Sequence, residues 1–243
     1  MIMAAVRHTC TLRARHCSFW RLAKSCGLYS QQTPLRLHSS GLSCWKCGET
    51  VPLSEGEALF FCHCPRKIIM KPTTENCFKV MNCPQSYDMD ILALRKRYKH
   101  LQTELHPDKF TIKTIKEREM SAEQSSLVNK AYSTLFNPYT RGLYLLELNG
   151  HTIDEKDNTS GSDLAFLEEV MTINEELQEL KESCDPIRVM SIRDLSQKKL
   201  DEFAEKLNWD FQHGSIQSAK ETLAKMKYFV NINGQTKELV PLN

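Results

Sequence analysis

The stretch "RKRYKHLQTELHPDKF" occupies residues 95–110, and its reading decides the fold. Around it, Ile91, Leu94, Tyr98, Leu101 and Leu105 recur at steps of three and four, which draws one apolar stripe along a helix. Asp88 or Asp90 stands where the stripe begins and can cap the first turn. Arg95, Lys96, Arg97 and Lys99 lie largely off the stripe and give the helix a basic flank. Pro107 has no N–H to give a helix interior and biases His106 away from helical geometry, so the helix should end at a His106-Pro107-Asp108 corner. A catalytic pair is not expected there. The rigid proline separates His106 from Asp108, and no nucleophile lies nearby.

Beyond the corner a second helix is expected from about Glu117 to Phe136, with Leu127, Val128, Ala131, Tyr132 and Leu135 inward. Pro138 breaks the chain, "YTRGLYLLEL" (139–148) forms a short third helix, and Gly150 closes it. Two antiparallel helices joined by an exposed loop with His-Pro-Asp resemble the J-domain. The residues that carry the likeness are His106, Pro107 and Asp108, the basic flank before them and "NKAYSTL" (129–135) after them. The resemblance implies that this unit engages a seventy-kilodalton heat-shock chaperone and stimulates its ATPase. The basic helix would then steer association with an acidic surface, and Asp108 would offer a carboxylate to a partner arginine.

The chain has 243 residues, 41% hydrophobic and 26% charged, with sparse glycine and proline and no apolar run long enough for a bilayer. These numbers predict an all-α protein of one or two domains. The charge is uneven. Residues 1–40 hold six of the 32 basic side chains and no acid, leaving 26 basic against 30 acidic. A mildly acidic body argues against a nucleic-acid binder. The basic, serine-rich, acid-free first forty residues have the pattern of a mitochondrial transit peptide.

Three of the ten cysteines (Cys10, Cys17, Cys26) fall in that leader, and Cys44, Cys47, Cys62 and Cys64 cluster in residues 41–72. A reducing matrix disfavours disulfides, so the cluster reads as a metal site. In "CWKCG" two intervening residues let both thiolates reach one tetrahedral ion, and Gly48 lets backbone N–H groups turn toward the sulfurs. The second half, "FCHCP", is irregular: Cys62 and Cys64 both bind, or His63 replaces one of them. A structural zinc knuckle is the expectation, since so short a segment has little core. Four thiolates also suit an iron–sulfur cluster, which keeps a redox or cluster-carrying metalloprotein as an alternative.

Residues 73–150 form the expected J-domain unit, 151–162 a polar linker and 163–243 a three-helix bundle. The first bundle helix, about 163–183, turns Phe166, Val170, Ile173, Leu177 and Leu180 inward. The second, about 186–212, starts at Pro186 and turns Leu195, Leu200, Phe203, Leu207 and Phe211 inward. The third, about 215–230, uses Ile216, Ala219, Leu223, Met226 and Val230. The bundle carries 15 acidic and 10 basic side chains, while residues 75–150 carry 9 and 11. Opposite polarity suits two faces for two partners.

The J-domain likeness has a general alternative, a co-chaperone for unfolded clients. Such proteins usually follow the J-domain with a Gly/Phe-rich segment or CxxCxGxG repeats, and neither is present. Instead "NPYTRGLYLLELNG" (137–150), "FLEEVMTINEELQELKE" (166–182) and "AKMKYFVNI" (224–232) resemble the HscB family of iron–sulfur cluster co-chaperones in its mitochondrial form. That family implies a non-enzymatic adaptor. Its bundle holds the scaffold protein on which clusters are built, and its J-domain brings the complex to a mitochondrial chaperone, from which clusters pass to recipient proteins. Family scaffold contacts fall here on Leu167, Met171, Glu175, Glu179 and Tyr228. The chain departs from some relatives at Glu168 and Thr172, and from the paired CxxC of others at Cys64.

Overall fold

The computed structural model describes residues 41–52, 60–64, 69–70, 76–153, 164–183 and 185–240. The transit-peptide reading of residues 1–40 lies outside them, as do most of the 151–162 linker and parts of the cysteine segment. The described body is helical, with seven α-helices, and the cysteine segment adds two short strands.

Strands β1 (Gly41–Ser43) and β2 (Thr50–Pro52) pair antiparallel, with Leu42 opposite Val51. Gly48 turns the chain between them at φ +74°, a left-handed conformation open to glycine at no steric cost. A second antiparallel contact follows: Phe61 bridges Ile69, and the Met70 N–H donates to the Phe60 carbonyl at 2.8 Å.

Helix α1 (Cys77–Met81) is capped by Asn76 and buries Phe78, Val80 and Met81. Five residues are too few to show a helical period, so the sequence pattern did not announce it. Helix α2 (Ile91–Glu104) starts on Asp90, whose carboxylate accepts from the Leu92 and Ala93 N–H groups at 2.9 Å. It ends before Pro107, as its sequence requires, and a 3-10 turn (Pro107–Phe110) makes the corner. Helix α3 (Ile115–Phe136) begins two residues earlier than expected because Thr114 and Glu117 form a reciprocal capping box. Tyr98 stacks on Tyr132 at 4.0 Å between ring centroids, and the Ser121 hydroxyl donates to the Leu105 carbonyl at 2.7 Å, so α2 and α3 are clasped along their length.

Helix α4 (Pro138–Leu148) is capped by Asn137, and Gly150 closes it at φ +76°. Its "RGLYLL" run explains itself in packing. The buried Arg141 guanidinium lies 4.8 Å from the Tyr87 ring centroid and donates to the Leu135 carbonyl at 3.0 Å. A Cβ at Gly142 would sit 2.8 Å from Leu223 Cδ2, so any larger residue there would have to displace the Leu223 side chain.

Helices α5 (Leu164–Ser183), α6 (Pro186–Gln212) and α7 (Ile216–Leu239) form the bundle. Val170, Ile173, Leu177, Leu180, Val189, Ile192, Phe229 and Ile232 make its core. Leu207, Ala219, Leu223 and Met226 instead join the core of α1–α4, together with Leu145 and Leu146. The two helical units therefore share one continuous interior.

Two expectations change. Leu195 is exposed; the inward stripe of α6 runs through Val189, Ile192, Arg193 and Ser196. Arg193 is admitted because its guanidinium donates to the Thr236 carbonyl at 2.6 Å and to the Val240 carbonyl, satisfying the end of α7. Helix α7 also runs nine residues past Val230, to Leu239.

Candidate functional site

Three groups of residues stand apart from the packing. The first is the His-Pro-Asp corner. His106 and Asp108 side chains are 58% and 86% exposed, on a turn anchored from below by the buried Phe110. His106 Nδ1 lies 3.5 Å from Asp108 Oδ2, but the hydrogen bond it makes is to the backbone, accepting the Asp108 N–H at 3.3 Å. Nδ1 is thereby occupied as the cap of the 3-10 turn, which leaves Nε2 facing outward. The arrangement pins the backbone of the corner and leaves the Asp108 carboxylate open to solvent, without activating a nucleophile. Arg95, Lys96 and Lys99 are exposed on α2, whereas Arg97 is half-buried. The Arg95 guanidinium also lies over the Phe136 ring at 5.5 Å, so that head group has a resting place on the return helix.

The second group is the cysteine segment. The Cys44, Cys47 and Cys62 sulfurs all lie within 4.8 Å of one another. Cys47 and Cys62 are 3.6 Å apart, close to the ~3.8 Å edge of a tetrahedron with ~2.3 Å metal–sulfur bonds. Cys44 and Cys62 are buried with Met70, and Trp45 closes over them. Backbone N–H groups point at the sulfurs, including that of Cys64 toward Cys62 at 3.4 Å. Burial pushes the Cys44 thiol up, but the N–H groups of Cys47 and Lys46 and the neighbouring thiols outweigh it and bring it below its usual value. Burial drives Cys62 the other way, to about 12, so its proton leaves only when something replaces it. A donor set of gathered sulfurs under N–H groups fits a metal ion, and these residues can hold one. Cys64 stands outside the group of three, half-buried with its side chain against Cys62, while His63 is exposed.

The third group lies on α5 and α7. Leu167, Met171, Glu175 and Glu179 follow one another at steps of four and form a single stripe along α5. Met171 is 61% exposed, Leu167 is half-buried, and both glutamates are exposed. Tyr228 reaches the same surface from α7, edge-on to Phe166 with ring centroids 5.8 Å apart. The four α5 positions thus lie along one line, and Tyr228 stands against Phe166 on the first turn of that helix. Glu168 and Thr172, the two departures, are exposed beside the stripe. The periodicity placed Phe166 in the core and passed over Leu164. Phe166 is half-buried under Lys225, whose Nζ lies 5.1 Å from its ring centroid, and Leu164 is 71% exposed. The mixed aromatic and basic run "AKMKYF" was the available signal.

Comparison with known proteins gives a consistent result. Residues 162–237 match the family model described as the HSCB C-terminal oligomerisation domain. The chain is 39% identical to the mouse (Mus musculus) iron–sulfur cluster co-chaperone protein HscB over 194 residues, which is 80% of this chain and 81% of that protein. It is 38% identical to the human (Homo sapiens) protein of the same name over 201 residues, 82% and 83% of the two chains. The crystal structure of human co-chaperone protein HscB superposes with a TM-score of 0.68 at 36% identity, covering 82% of this chain and 99% of that one. The chain belongs to the HscB family of iron–sulfur cluster co-chaperones.

Proposed function

We propose that the chain is an adaptor of the mitochondrial matrix that couples a seventy-kilodalton heat-shock chaperone to the scaffold protein on which iron–sulfur clusters are built. Residues 73–150 serve as the J-domain and 163–243 as the scaffold-binding bundle. The observation that carries the reading is the exposed, self-capped corner: Asp108 is presented outward with its backbone already satisfied. An exposed carboxylate carried on a pinned backbone is open to bidentate pairing with a partner arginine. Arg95, Lys96, Arg97 and Lys99 supply the basic approach, which raises the rate of encounter with an acidic chaperone surface. Engagement stimulates the chaperone's ATPase and promotes transfer of the cluster to recipient proteins; the chain itself breaks no bond.

Leu167, Met171 and Tyr228 give the scaffold an apolar anchor, and Glu175 and Glu179 orient it. The cysteine segment takes zinc in a structural role, through Cys44, Cys47 and Cys62 with Cys64 as the fourth ligand. The choice of Cys64 over His63 follows from the former's place against Cys62 and the latter's exposure.

The test separates the two faces. Asp108→Ala should abolish stimulation of ATP turnover while scaffold affinity, measured by calorimetry, stays unchanged. Leu167→Ala with Met171→Ala should do the reverse. It should weaken scaffold binding by about thirtyfold, the loss of roughly one hot-spot side chain, with basal chaperone stimulation intact. Stimulation that survives Asp108→Ala sinks the chaperone reading. Scaffold binding that survives the double variant removes the α5 stripe from the interface.

A further inference from the structure

One face of α3 connects the cysteine segment to the His-Pro-Asp corner. In its first turn Lys116 Nζ lies 4.2 Å from the centroid of the Trp45 ring, within the turn of the first cysteine pair. The Trp45 indole N–H donates to the Ile69 carbonyl at 2.9 Å, so one side chain ties both halves of the segment to α3. Glu117, one residue on, is buried and accepts from the Thr114 N–H at 3.1 Å and its hydroxyl at 2.8 Å. Lys46, between the two cysteines, is among the cations that favour its charge. Two turns further along, Gln124 is only 1% exposed and donates its amide to the Met70 carbonyl at 3.2 Å. Met70 packs with the buried Cys44 and Cys62 sulfurs. Between these contacts Ser121 donates to the carbonyl of Leu105, the residue that precedes His106.

We infer that the cysteine knuckle is a brace for the corner, with Gln124 and Trp45 as its positioning residues. Gathered sulfurs hold Met70 and Trp45 against α3, and α3 in turn holds both ends of the corner through Thr114 and Leu105. The Gln124 amide and the Met70 carbonyl are both buried, so neither finds water if the other withdraws. Phe60 and Ile69 belong to the same core as Leu105, Phe110 and Met120, which makes the link a contiguous run of packed side chains. The functional consequence rests on the chaperone-binding reading above; the structural consequence does not.

Hydrogen exchange on the full chain reads the brace directly. Stripping zinc with a chelator should raise exchange at the amides of residues 106–118 about tenfold, the effect of losing roughly one buried hydrogen bond from the local opening equilibrium. The amides of residues 164–183 should keep their protection. Gln124→Leu, which removes the donor and keeps most of the volume, should show the same pattern and release zinc faster to the chelator. Both preparations should stimulate chaperone ATP turnover less, with scaffold affinity unchanged. Exchange at 106–118 that does not respond to zinc removal overturns the brace. A rise of equal size across the bundle overturns it too, because that is general destabilisation. Should Gln124→Leu fail to fold, the chelated wild-type chain carries the test alone. If Asp108→Ala retains full stimulation, the chaperone reading fails while the exchange result still decides the brace.

Discussion

The bundle and the cysteine knuckle both hold functional side chains in place, and they do it by opposite means. The bundle's own core has eight buried aliphatic and aromatic side chains, each contributing about 1.5–3 kcal/mol when fully buried. The knuckle's own cluster is Cys44, Cys62 and Met70. It also borrows from α3, through Phe60, Ile69 and the Gln124 bond. A redundant apolar core degrades gradually as residues are removed. A few sulfurs around one point lose their order together. The comparison teaches where each region is vulnerable.

The largest expected effect lies in the knuckle. Cys44→Ser with Cys47→Ser should abolish zinc binding, whose coupling to folding amounts to about 10 kcal/mol in small zinc modules. Zinc content by atomic absorption should fall to background while helical circular dichroism stays near wild type. Retained zinc would show that the ion sits elsewhere. A smaller effect tests the joint between the two helical units. Gly142→Val forces side-chain atoms into the space of Leu223, and should cost about 2 kcal/mol in urea unfolding, as overpacking does. Leu223→Ala should cost less in the Gly142→Val background than in the wild type, and a double-mutant cycle with no such coupling would mean that the contact is not the cause.

The smallest effect concerns acid. Burial pushes the Glu117 carboxyl up, but the Thr114 hydroxyl and N–H, then Lys46 and Lys113, bring it below its usual value. A depressed carboxyl contributes fully above the unfolded value of about 4.3, and its contribution is lost as pH falls through the lower folded value. Glu117→Gln should therefore flatten the acid limb of the stability curve, by about 1 kcal/mol. Urea midpoints compared at about pH 6 and about pH 3 would show it. An unchanged acid limb would remove the capping carboxylate from the account.

Much of the helical body was legible because its apolar stripes are regular. The steps of three and four in α2, the proline at its end and the bundle's first helix all translate directly into what is buried. The failures share a cause. Leu195 was assigned inward and Arg193 overlooked, because hydropathy cannot see that carbonyls at the end of α7 accept from a buried guanidinium. The sequence reading also ends helix α7 near Val230, nine residues short. In the fold Asn233 is buried, its amide donating to Gln197 at 3.2 Å, and Phe229 and Ile232 hold the extra turns on the core. The candidate site was legible as a stripe on α5 and a corner after α2. Its support was not: Gln124 looks like an ordinary helix-surface residue until Met70 is folded over it.

The close approach at Gly142 also sets the working geometry of the whole chain. Leu223 of α7 is seated against that glycine and Tyr87 stacks on Phe211 of α6, so among the described residues the corner's unit is packed directly on two of the three bundle helices. On the proposed adaptor reading the chain would act as a set square rather than a tether. Two bound proteins would meet at one spacing and one angle, and handover would depend on that angle as much as on either affinity.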